Sequence, residues 1–247
     1  MRADPVLLRQ RALAATPPVE AGDKLPSDLV EVTRLAPGIK LDIRYAGLNN
    51  FMGIPLYETP AAYLQRPAAE ALARIHRALA AQGYGLLIHD AYRPWSVTWM
   101  FWEATPPEAR IFVADPAEGS RHNRGCAVDL TLYDLKTGRP VEMPSRYDEF
   151  STRAYADFVG GTTKQRALRA ILRGAMEADG FTVYAERRIL EALHGPEVAA
   201  AHDCVGVFVW ESAAAADGKD RFVGEVARRG AQALHQPMPR RGASAAV

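Results

Sequence analysis

At 247 residues the chain is long enough to bury a substantial core, and it reads as one domain with ragged ends. Its hydrophobic content of 48% and charged content of 24% are ordinary for a globular protein, and a net charge of +1 gives neither a basic footprint for nucleic acid nor an acidic tail. The two cysteines, Cys126 and Cys204, offer no disulfide framework and no C-x-x-C zinc ribbon.

Residues 1–24 mix Pro, Ala and charge without a strong period and are expected to form a loosely held arm. Arg2, Arg9 and Arg11 interrupt the only apolar patch there, which argues against a secretory signal. No run approaches the length of a membrane helix, so the expectation is a soluble, cytoplasmic protein that engages no membrane. Residues 25–235 are expected to hold the domain. Leu29–Thr33 alternates like a half-buried strand, and Ile39–Tyr45 repeats the pattern after the Pro37-Gly38 turn. Asn49–Gly53 reads as a loop. Pro67–Gln82 carries Ala71, Ile75 and Leu79 on one helical face, with Gly83 as its stop.

Leu86–Asp90 is an apolar strand ending in polar residues, and a second helix begins after Arg93-Pro94 with Trp95, Trp99, Phe101 and Trp102. That aromatic concentration is more in keeping with core than with a cofactor box. His76 lies on a helix and His89 has no partner at ligand spacing, so both read as structural histidines. Thr163–Asp179 is another amphipathic helix closed by Gly180, followed by a returning strand at Phe181–Tyr184 and a further one within Cys204–Trp210. Residues 236–247 are Pro, Arg, Gly, Ser and Ala and are expected to be a disordered tail.

The chemistry concentrates in Ser120-Arg121-His122-Asn123-Arg124-Gly125-Cys126-Ala127-Val128-Asp129. An imidazole nitrogen and a carboxylate oxygen suit a borderline cation such as zinc, and Gly125 lets the chain turn between the loop and the strand that would carry them. Taken alone, one His and one Asp do not make a site, and a loop histidine beside a strand-edge aspartate is the plainer account. In Asp90-Ala91-Tyr92-Arg93-Pro94, an arginine just past a buried strand is suited to an anion, although pairing with Asp90 is the simpler reading.

The first run resembles the S-x-H-x-x-G-x-A-x-D signature of zinc D-alanyl-D-alanine dipeptidases (VanX type) and their D,D-carboxypeptidase relatives. The likeness extends through roughly Val32 to Tyr184. Arg44-Tyr45-Ala46 with Asn49-Asn50-Phe51-Met52-Gly53 is similar to that family's R-Y-A…D-N-F-x-G segment, with Asn49 where Asp is commoner. Ser145-Arg146-Tyr147-Asp148 resembles its S-R-F-D element. The resemblance implies an α+β fold of Hedgehog/D,D-peptidase type, helices packed on a central antiparallel sheet. It also implies one Zn2+ per chain, held by His122, Asp129 and a second histidine. Arg93 would stabilise the transition state, and Tyr45, Ser120 and Asp148 would hold the amino end of a small D,D-dipeptide. Retention of the Ser-Arg-Tyr-Asp element favours dipeptidase over carboxypeptidase specificity.

The family supplies its third ligand and general base through E-W-W-H soon after G-F-x-x-Y. Here Gly180-Phe181-Thr182-Val183-Tyr184 is present, but Ala185-Glu186-Arg187-Arg188-Ile189-Leu190 follows. The chain's E-x-x-H is Glu191-Ala192-Leu193-His194, in helical surroundings where residues i and i+3 share a face. Glu191 as base and His194 as ligand are therefore the expectation; the alternative is an incidental histidine on an exposed helix. His202 is a weaker candidate and His235 reads as tail. Either an insertion displaced the catalytic pair, or the C-terminal part was replaced and the site lost, leaving a silent relative that binds dipeptide or metal.

Overall fold

The structure, a computed structural model, describes residues 4–19, 25–149, 151–154, 158–183 and 207–210. Five helices surround a five-stranded sheet and a small two-stranded ribbon among these residues. The strands are β1 (Leu29–Glu31), β2 (Lys40–Leu41), β3 (Tyr63–Gln65), β4 (Tyr84–Asp90), β5 (Ala127–Asp134), β6 (Phe181–Val183) and β7 (Val207–Trp210). The helices are α1 (Pro5–Ala14), α2 (Val32–Leu35), α3 (Arg66–Ala80), α4 (Trp95–Ala104) and α5 (Thr163–Ala178). The main sheet runs β2-β4-β5-β7-β6, antiparallel except for the short parallel pairing of β2 on β4. This is the α+β architecture expected, with one parallel strand at its edge.

Period-2 alternation decides what faces what. Val128, Leu130 and Leu132 of β5, with Leu86 and Ile88 of β4, enter a core closed by Leu72, Ile75 and Leu79 of α3 and Leu168, Leu172 and Met176 of α5. Asp129, Thr131 and Tyr133 occupy the intervening β5 positions. A β-bulge interrupts the β4–β5 ladder: Ile88 pairs with Leu130, but Asp90 pairs with Asp129. Strict alternation would set Asp90 on the side of Ile88. The one-residue shift brings it to the side of Asp129 instead.

A second apolar cluster gathers Leu8 and Ala12 of α1, Tyr45, Leu56, and Val97, Met100 and Phe101 of α4. Within the segment read as a loosely held arm, Pro5–Ala14 is thus a helix, capped by the Asp4 side chain and packed through a Leu8 that is only 2% exposed. Its one-sided apolar contact needs α4, which local periodicity does not reveal. The strands read at Leu29–Thr33 and Ile39–Tyr45 are shorter than expected, because Val32 starts a helical turn and Arg44–Ala46 forms a 3-10 turn. Trp95 and Phe101 are buried as core, whereas Trp99 and Trp102 are half-buried. His76 accepts the Leu86 amide through Nδ1 at 3.2 Å, the structural part expected of it. Among the described residues no helix is long and apolar enough to cross a membrane.

Candidate active site

The signature turn is built locally and then pinned from outside. Ser120 caps a 3-10 turn, Arg121–Arg124: its hydroxyl accepts the His122 amide at 3.2 Å, and Asn123 returns a bond to the Ser120 amide at 2.8 Å. Gly125 ends the turn at φ +67, a left-handed conformation that a side chain disfavours. A Cβ there would also come within 2.5 Å of Leu29 Cδ2. Gln65 holds the turn from β3, donating its amide nitrogen to Gly125 O (2.8 Å) and its side chain to Arg124 O (2.9 Å). Asn123 donates to Arg93 O (2.9 Å), and the Arg93 amide donates to His122 O (3.0 Å). The two motifs, distant in sequence, are therefore one hydrogen-bonded unit.

The His122 side chain is buried, with Nδ1 2.7 Å from the Ala91 carbonyl. A carbonyl only accepts, so Nδ1 carries a proton, and Nε2 is the nitrogen left to face Asp129. That nitrogen lies 3.4 Å from Asp129 Oδ1, a buried oxygen with no hydrogen-bond partner. A buried carboxylate oxygen without a hydrogen bond beside an imidazole nitrogen is costly unless a cation joins them, so the two donors fit a metal such as zinc. Asp90, His122 and Asp129 offer donor atoms within 4.8 Å of one another. Asp90 already has its valences filled, however. Its Oδ1 accepts from Tyr57 (2.7 Å) and the Ala91 amide (2.9 Å), and its Oδ2 from Arg93 Nε (3.0 Å) and Nη2 (2.7 Å).

Arg93 is buried against Asp90, its Nη2 3.9 Å from Asp129 Oδ2, with its guanidinium over the rings of Phe101 (4.8 Å) and Tyr45 (5.5 Å). Burial alone would disfavour the cation; Asp90 beside it outweighs that and holds its pKa above the usual arginine range. The pairing with Asp90, the simpler of the two sequence readings, is present, and it holds the fork beside the His122–Asp129 corner. Burial also works against the Asp129 carboxylate, but attraction to positive charge at the His122 position and then to Arg93 overcomes it and keeps its pKa below the ordinary value.

Across the corner, Tyr45 donates to Asp148 Oδ1 at 2.9 Å, and Asp148 Oδ2 accepts the Phe51 amide at 3.3 Å. Asp148 sits at φ +57, a left-handed conformation uncommon outside glycine. Burial pushes its carboxyl up to about 6. Tyr147 donates to Asp129 Oδ2 at 3.2 Å, and burial raises its phenol well above the usual value, which keeps the proton on.

The structure thus gathers Tyr45, Arg93, Ser120, His122, Asp129 and Asp148 around one corner of the sheet. Glu191 and His194 lie outside the described residues. Beside Asp129, the described backbone partner on β7 is Val207, and β7 reads Val-Phe-Val-Trp. Sequence reasoning passed over Tyr57, Gln65, Asn123 and the hydroxyl of Tyr147. Asn123 lies inside the Ser120–Asp129 signature and Tyr147 inside Ser145-Arg146-Tyr147-Asp148, but Tyr57 and Gln65 act only through long-range contacts and leave no local signal.

A family model described as D-ala-D-ala dipeptidase (peptidase M15) matches residues 26–187, a stretch that holds every motif from Arg44 to Tyr184 and ends ahead of Glu191. A D-alanyl-D-alanine dipeptidase of Escherichia coli K12 is 32% identical over 155 residues, 63% of this chain and 79% of the relative. One from Enterococcus faecium is 35% identical over 165 residues, covering 60% and 82% respectively. Another, from Streptomyces coelicolor, is 31% identical over 179 residues, covering 65% and 89%. With most of its described fold inside that match, and the two buried motifs meeting at one corner, the chain belongs to the D-ala-D-ala dipeptidase family of peptidases.

Proposed function

We propose that this protein is a zinc-dependent D-alanyl-D-alanine dipeptidase acting in the cytoplasm on the free dipeptide. The observation that carries the metal part is the orphaned Asp129 Oδ1 facing the Nε2 of His122. The names of the relatives support the substrate. His122 and Asp129 would be joined by His194 as third ligand. A zinc ion, when bound, supplies Lewis acidity toward the scissile carbonyl. Arg93 steadies the charge that grows on the carbonyl oxygen, an interaction of the kind worth about 3–4 kcal/mol in the barrier. Glu191 takes the proton from the attacking water and passes it to the leaving amine. The dipeptide's ammonium group meets Asp148, held in place by Tyr45, while Ser120 keeps the His122 turn in shape.

The purified protein should then carry about one zinc per chain and hydrolyse D-Ala-D-Ala. Turnover should disappear in His194→Ala and Glu191→Gln. Zinc-free protein that stays inert when zinc is added would defeat the proposal. Preference for an N-acylated D-Ala-D-Ala would instead reassign it as a carboxypeptidase on peptidoglycan peptides.

A second reading has its own support. The E-W-W-H element of the resembled family is not intact after Gly180–Tyr184, where Ala185-Glu186-Arg187-Arg188-Ile189-Leu190 follows. A silent relative that retains dipeptide binding would have this appearance. Saturable D-Ala-D-Ala binding without turnover in the zinc-loaded protein would favour it.

A further inference from the structure

The two oxygens of Asp129 stand in different surroundings. Oδ1 is buried without a hydrogen bond, 3.4 Å from His122 Nε2. Oδ2 accepts from Tyr147 Oη at 3.2 Å and has Arg93 Nη2 at 3.9 Å. We propose that Tyr147 is a positioning residue: its hydroxyl holds Oδ2 so that Oδ1 is the oxygen presented, with His122 Nε2, to a divalent cation. This rests on the metal site proposed above and concerns a residue outside its ligand set.

The physical case starts from the freedom of a carboxylate. An aspartate turns easily about its last torsion, and a buried one turns toward whatever cation or donor is nearest. Arg93, one step away at 3.9 Å, would draw both oxygens toward itself and away from His122. A neutral donor on Oδ2 opposes that turn without adding charge to compete with a metal. Hydrogen bonds to ligating carboxylates commonly tune metal sites in this way.

The Tyr147 ring is itself held on several sides. It lies 4.9 Å from the His89 ring at an interplanar angle of 38° and 6.0 Å from the Tyr45 ring. The Arg44 guanidinium stands 5.9 Å over it. Asp42 anchors two of these neighbours, taking Arg44 Nε at 2.8 Å and standing 3.4 Å from His89 Nδ1. The support therefore runs from the β2 edge through His89 of β4 to Asp129 of β5. The element resembled in the sequence has Phe at this position. A Phe ring would pack among the same neighbours, and only the hydroxyl adds the contact to Asp129.

The test measures zinc affinity of the full chain by competition with a chromophoric chelator, for wild type, Tyr147→Phe and Tyr147→Leu, with melting of each metal-free protein followed alongside. The expected rise in zinc Kd for Tyr147→Phe is about tenfold, the low end of the range for such partners, because 3.2 Å is long for an O–H···O bond. Tyr147→Leu should show a similar rise in its folded form, which assigns the loss to the hydroxyl. A Kd unchanged in Tyr147→Phe, or a loss confined to Tyr147→Leu, overturns the inference and leaves the proposed enzyme standing. Wild-type protein that takes up no zinc overturns both.

Discussion

Asp148 shows how much one residue's surroundings can cost in stability. Its carboxyl is pushed up to about 6 by burial and its backbone is left-handed, yet at neutral pH it is charged and able to meet an ammonium group. Between about pH 4 and pH 6 the folded chain holds a proton that the unfolded chain has released, so stability falls as pH rises through that window. Above it the cost is on the order of 2 kcal/mol, once solvent screening of this half-buried group is allowed for. Asn tolerates the same backbone conformation and carries no charge. Asp148→Asn should therefore be more stable than wild type in urea at pH 7, with the gap closing toward pH 4, while KM for free D-Ala-D-Ala rises. A stability gap that is the same at both pH values would remove burial of the charge as its cause.

At the scale of elements, the site depends on two irregularities in otherwise regular pieces. The bulge in β4 turns Asp90 to the side of Asp129, where it can hold Arg93. The left-handed Gly125 joins the His122 turn to β5, with Leu29 against it. Gly125→Ala faces both the backbone preference and the contact with Leu29 Cδ2. It should cost about 1–3 kcal/mol in chemical denaturation and weaken zinc binding by displacing His122. Full stability and unchanged affinity in that variant would mean the turn tolerates a side chain by other means. The helices are less demanding, since α3 and α5 follow from apolar periodicity and their faces fill the core the pattern specifies.

For the whole molecule, metal and fold should be coupled. The buried pair His122 and Asp129 joins the turn after α4 to the middle of the sheet, so a cation that binds only the folded chain stabilises all of it. At a zinc concentration a hundred times Kd the gain is about 2.7 kcal/mol, or roughly 5–10 °C in melting temperature for a chain of this size. A chelator should reverse the shift, and Asp129→Asn should not show it. A melting temperature indifferent to zinc in wild type would mean that the orphaned oxygen has some other partner.

Much of this was legible in residues taken singly or in short runs. The helical periods of α3 and α5, the apolar β4 and β5, and the two motifs around Arg93 and His122 are local patterns, and local patterns survive in a linear chain. Tyr45 and Asp148 were identifiable through resemblance to a family, and their hydrogen bond joins positions 103 residues apart. What the linear chain withheld were features set by register and long-range contact. The bulge that reorients Asp90, the docking of α1 on α4, the grip of Gln65 on the signature turn and the hydroxyl of Tyr147 on Asp129 all belong here. The reason is physical: periodicity tells a residue which face of its own element it occupies, and only packing decides which distant face it meets.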